Sequence, residues 1–134
     1  MDGLKWLFDW YQLKDAAVYN NPETPVEVLR KHIDDRAELL SKHFGYSAPP
    51  ADEEMLNMGG YMFLQMEQPE KARLFFETQI KYYPWSVNSW DSMADYYISQ
   101  NDNNHAVEYL QKAYELSGDD SFKKKIQSLE KDKK

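Results

Sequence analysis

Moved against itself by 34 residues, the middle of the chain keeps its side-chain sizes while losing its letters. Between residues 56–83 and 90–117 only Ala72 and Ala106 are identical, yet Leu56 falls on Trp90, Gly60 on Ala94, Phe63 on Tyr97, Leu64 on Ile98, Phe75 on Tyr109 and Phe76 on Leu110. A period of this length is that of a helix–turn–helix unit that stacks on its neighbours. Two antiparallel helices approach closely only where both carry a small side chain, so Gly60 against Ala72, and Ala94 against Ala106, are the expected crossing points. Phe63 and Phe76 in the first unit, and Trp90, Tyr97 and Leu110 in the second, then fill the remaining space. Aromatic side chains at helical spacing are read here as packing, Tyr82 among them, with Pro84 in the turn between units.

Proline and glycine cut the rest of the chain into helix-sized pieces, and no segment alternates with period two as a half-buried strand would. The fold class expected is all-α. Thr24-Pro25-Val26-Glu27 reads as a helix start, with threonine as N-cap, proline at the first helical position and glutamate closing a capping box. Val26, Leu29, Ile33, Leu40 and Phe44 continue at helical spacing to Gly45, and the linker "GYSAPP" forbids continuation. Further helices are expected over about 52–66, 69–83, 87–100, 104–117 and 120–131, with Ser86 and either Asp102 or Asn103 as N-caps. Two hairpins do not bury their outer faces alone. The 24–44 helix is expected to cover one end, and the closing helix, with Phe122, Ile126 and Leu129 on one face, the other. The domain division expected is an apolar segment 1–23 followed by a repeat domain 24–134.

Leu56-x2-Gly59-Gly60-x2-Phe63 with Ala72, Phe76 and Pro84, and Trp90-x2-Met93-Ala94-x2-Tyr97 with Ala106, Leu110 and Ala113, resemble the tetratricopeptide repeat, whose pattern is W-x2-L-G-x2-Y followed by A-x3-F and a proline. A narrower resemblance rests on Gly60-Tyr61, Phe76, Tyr83-Pro84, Ser86, Asn88 and Asp91-Ser92-Met93. These residues are similar to the C-terminal repeat segment of bacterial esterases of the α/β-hydrolase type, with Gln79 and Met93 departing from the asparagine and leucine favoured there. "DGLKWLFDWYQL" likewise resembles the exit segment of such a hydrolase domain. Leu4, Leu7, Phe8 and Tyr11 would form one stripe of a helix and Trp6, Trp10 and Leu13 another, so both sides are apolar. The resemblance implies an interface through Leu4, Trp6, Leu7, Phe8, Trp10 and Tyr11, with a preceding hydrolase domain, another subunit or a second copy as partner.

No chemistry of its own is expected from this chain. It holds no G-x-S-x-G elbow for a nucleophilic serine. His32, His43 and His105 lack metal-ligand spacing, and cysteine is absent, so neither a metal nor another cofactor is expected. Asp34-Asp35 diverge on their helix, and Asp52-Glu53-Glu54 suit a first turn rather than acid catalysis. A net charge of -7 opposes nucleic acid and anionic membranes as partners. The lysines from Lys123 onward suit a helix C-terminus. No apolar run of about 18 residues could span a bilayer, and the first residues lack the basic region and cleavage site of a signal peptide. An export address, if the parent enzyme has one, would lie in a part that precedes them.

What remains is binding. By alignment the concave face carries Glu54, Asn57, Tyr61, Leu64 and Gln65, then Asn88, Asp91, Asp95, Ile98 and Ser99. The candidate groove residues are Asn57, Tyr61, Gln65, Asn88, Asp91 and Asp95. Asp91 and Asp95 would repel a peptide's terminal carboxylate, and Asp91 is read as capping or orienting the inter-repeat turn through local hydrogen bonds ahead of ligand contact. The leading reading is a non-catalytic repeat domain packed on a hydrolase. The alternative is a stand-alone adaptor holding an extended peptide in the groove.

Overall fold

The helices end where particular residues stop them. In the computed structural model, residues 23–45, 49 and 51–131 are described. They form α1 (Val26–Phe44), α2 (Glu53–Gln65), α3 (Pro69–Tyr82), α4 (Val87–Ser99), α5 (Asn103–Ser117) and α6 (Asp120–Lys131), with no strand among the described residues. The fold is all-α, as the punctuation and periodicity imply. The chain divides into two compact units between Asp52 and Glu53, so α1 lies in the N-terminal unit and not with the hairpins.

In the N-terminal unit, α1 buries Leu29, Ile33, Ala37 and Leu40 along one face, together with Arg36. Its start differs from the expected capping box. Pro25, extended at ψ 149, takes the N-cap position, and its carbonyl accepts from the Leu29 N–H at 3.1 Å. Helical geometry therefore begins one residue later than Thr24 would require, and a proline side chain has no oxygen with which to cap. The stop is as expected: Gly45 adopts the left-handed conformation at φ 75 and its N–H bonds to the Ser41 carbonyl.

In the second unit, α2 packs on α3, α4 on α5 and α5 on α6, while α3 and α2 each meet α4. The two hairpins turn in the same way. Glu67 (φ 59) and Asn101 (φ 61) are both left-handed. Gln68 N–H bonds back to Phe63 O and Glu67 N–H to Leu64 O, while Asp102 N–H bonds to Tyr97 O and Asn101 N–H to Ile98 O. Every member of the second set is its counterpart's number plus 34. Asparagine tolerates this conformation and glutamate does not. Glu67→Gly is accordingly expected to stabilise the protein by about 0.5–1 kcal/mol, and Asn101→Gly by less, in paired denaturant titrations.

The two N-caps behave differently. Asp102 caps α5, accepting from the His105 N–H at 3.2 Å and pairing with His105 Nδ1 at 2.6 Å. Ser86 occupies the N-cap of α4 but its hydroxyl makes no cap bond. It donates instead to Glu53 Oε1 on α2 at 2.6 Å.

Gly60 provides close approach, though by a different contact from the one its spacing suggests. A Cβ added there would lie 2.3 Å from Phe76 Cε1, and all three nearest atoms belong to the Phe76 ring, not to Ala72. Gly59 makes the same allowance for Phe75. Phe63, Ala72 and Phe76 are fully buried in this hairpin. In the second, Ala94, Leu110 and Ala113 join Phe122 and Ile126 of α6, with Trp90, Tyr109, Tyr114 and Leu129 packed around them. α6 thus covers the apolar side of α5, as its sequence pattern implies.

Candidate functional site

Residues spaced by four on a helix share one face. On α2 the series Glu53, Asn57, Tyr61 looks toward α4, and each member meets a side chain there or in its N-cap. Glu53 accepts from Ser86, Asn57 Oδ1 accepts from the buried Ser92 hydroxyl, and Tyr61 Oη donates to Asp95 Oδ2 at 2.5 Å. The same relation recurs one step further on, where Lys125 of α6 donates to Asp91 at 3.1 Å. Tyr61 and Asp95 are 34 residues apart, as are Asp91 and Lys125. In a regular stack, equivalent positions of successive first helices stand side by side, and α6 occupies the place of a third one.

Burial, and then the hydrogen bond to Asp95, push the Tyr61 phenol well above its ordinary pKa. It remains a donor throughout the neutral range. Its ring sits edge-on to Phe76 at 5.2 Å, so the polar joint and the apolar core share one residue. The Asp91 carboxylate is offset by a lysine of the closing helix. That pair is partly exposed and adds at most about 1 kcal/mol.

Four of the six groove candidates, Asn57, Tyr61, Asp91 and Asp95, are therefore engaged in bonds between helices. Gln65 and Asn88 are exposed at the margin. The interface candidates Leu4, Trp6, Leu7, Phe8, Trp10 and Tyr11 lie outside the described residues. Sequence reasoning missed Glu53, Ser86, Ser92 and Lys125 as members of this face. The 34-residue register, extended to α6, was the signal that could have found Lys125.

The aromatic residues of the second hairpin form a ladder. His105 stacks on Tyr97 at 5.0 Å, Tyr97 on Tyr109 at 5.3 Å, and Tyr109 lies 5.9 Å from Trp90. Trp90 Nε1 donates to the Pro84 carbonyl at 2.8 Å and so ties α4 to the inter-repeat turn. These rings bridge helices and hold the turn. Trp85, 69 % exposed, is the exception among its neighbours. Among the described residues, no group of three or more histidine, aspartate or glutamate side chains could hold a metal ion, and no helix is long and apolar enough to cross a membrane.

Residues 87–120 match the family model described as tetratricopeptide repeat. The match covers α4, α5 and the first residue of α6, one full unit of the period found in the sequence. A comparison with curated proteins finds no match. The matched segment is a helical repeat of the kind that serves protein–protein interaction.

Proposed function

We propose, from a tetratricopeptide repeat at residues 87–120 and an equivalent hairpin before it, that this chain is a non-catalytic scaffold attached to an esterase-type hydrolase domain. In this reading it packs on that domain, or joins it to another subunit, through the Leu4 to Tyr11 stripe. The resemblance at Gly60-Tyr61, Tyr83-Pro84, Ser86, Asn88 and Asp91-Ser92-Met93 supports the parentage.

One observation carries the choice of scaffold over peptide clamp. Three of the candidate groove side chains, Asn57, Tyr61 and Asp95, are bonded across the α2–α4 joint, and a fourth, Asp91, to Lys125. A peptide would have to displace those bonds, and a buried polar group left without its partner costs about 1–3 kcal/mol.

Tyr61→Phe separates the readings. It keeps the ring on Phe76 and removes the bond to a carboxylate, so it is expected to lower stability by about 1–2 kcal/mol and to leave co-purification with the hydrolase domain unchanged. Loss of co-purification by a folded Tyr61→Phe protein would favour the groove. The parentage is tested by reading the coding frame upstream for a domain with serine on G-x-S-x-G. Its absence, or turnover of p-nitrophenyl acetate by the purified chain, would end this reading.

A further inference from the structure

Two joints in the second unit occupy the same place in the 34-residue period and are built differently. At the later one, Ala113 of α5 and Ile126 of α6 belong to one apolar cluster with Ala94, Leu110 and Phe122. One period earlier these two positions hold Gln79 of α3 and Ser92 of α4, and both are buried, Gln79 with no exposed surface and Ser92 at 1 %. The later joint is apolar where the earlier one is polar.

Buried polar groups need partners. Lys71 lies over the Phe63 ring at 5.4 Å, Thr78 Oγ1 donates to the Leu74 carbonyl at 2.7 Å, Ser89 Oγ to the Tyr83 carbonyl at 2.9 Å, and Ser92 Oγ to Asn57. Gln79 differs from them: neither its amide oxygen nor its amide nitrogen bonds to the protein. A glutamine amide brings two donors and two acceptor sites, and withdrawing them from solvent with nothing in exchange is costly. Two hydroxyls belong to the same joint. Tyr83 N–H donates to the Gln79 carbonyl at 2.8 Å and Ser89 bonds to Tyr83, so Ser89 is tied to the turn of α3 that carries Gln79. Ser92 stands one period before Ile126, which shares a cluster with the counterpart of Gln79. Each serine donates its one proton elsewhere and keeps acceptor sites.

We infer that the α3–α4 joint binds an internal water molecule, held by the Gln79 amide with the Ser89 and Ser92 hydroxyl oxygens as acceptors. A buried water typically makes about three hydrogen bonds to polar groups that lack other partners, and such a bridge is nearly as good as a direct bond. At this joint the water does what the apolar contact of Ala113 and Ile126 does at the next. The inference does not depend on the hydrolase parentage.

The test uses the whole chain. In the unaltered protein, the Gln79 side-chain NH2 protons are expected to show cross-peaks to water in NOE and ROE spectra, with the opposite signs of a water that tumbles with the protein. Oxygen-17 relaxation dispersion of the solvent then counts the long-lived internal waters, of which a chain of this length holds roughly five. Gln79→Met keeps the length of the side chain and removes both polar ends, and is expected to lower the dispersion amplitude by about a fifth, the share of one water in that count. Two results would overturn the inference. One is the absence of the water cross-peaks in the unaltered protein, a measurement that needs no variant to fold. The other is an undiminished dispersion amplitude in a folded Gln79→Met protein, which would show that the cross-peaks arise by exchange through the serine hydroxyls.

Discussion

Phe76→Ala is expected to remove about 3–5 kcal/mol of stability. Phe76 has no exposed surface, its ring fills the space that Gly60 leaves open, and Tyr61 packs edge-on against it. Alanine would leave a void bounded by helix backbone on the α2 side, which collapses poorly because moving α2 would also break its bonds to α4. A small domain holds only about 5–15 kcal/mol in all, so about a fifth or more of its stability would go. The melting temperature followed by circular dichroism should fall by about 15–25 °C. A fall of only a few degrees would show that the first hairpin does not centre on this ring. The damage should spread, because the Tyr61–Asp95 bond depends on a ring that Phe76 holds in place.

Gly60→Ala is expected to be destabilising by about 1–3 kcal/mol, against its helix propensity. In an open helix the change would add up to about 1 kcal/mol of stability. Here the new Cβ would lie 2.3 Å from Phe76 Cε1, inside the 3.0 Å that real Cβ atoms keep, so a buried ring or the helix itself must move. Overpacking exceeds the propensity gain because the obstacle is a rigid ring and not the tip of a flexible chain. The measurement is a double-mutant cycle in denaturant with Phe76→Leu. The smaller side chain should relieve the clash, so the double variant is expected to be less destabilised than the sum of the two by at least about 1 kcal/mol. Independent, additive effects would show that the two residues do not touch.

Local features were legible because their causes are local. Gly45 and Pro69 mark a helix end and a helix start where the sequence places them, and Asp102 caps the helix that follows it. A cap acts within about four residues, and one face of a helix is set by its own 3.6-residue turn. The failures have the same logic. Ser86 has the type and position of a cap, yet its hydroxyl bonds to Glu53, 33 residues away. Thr24 gave way to Pro25 by one residue, a shift that depends on backbone angles and not on composition.

The sequence by itself determined the six helices of the described residues, their pairing at a 34-residue period and the positions where only small residues fit, since each follows from periodicity, propensity and size along a short stretch of chain. Tertiary structure alone decided that the ring beneath Gly60 is Phe76, and that Asn57 meets Ser92, Tyr61 meets Asp95 and Asp91 meets Lys125. Those contacts depend on how far one hairpin slides and rotates on the next, a rigid-body relation summed over many side chains, and no single residue encodes it.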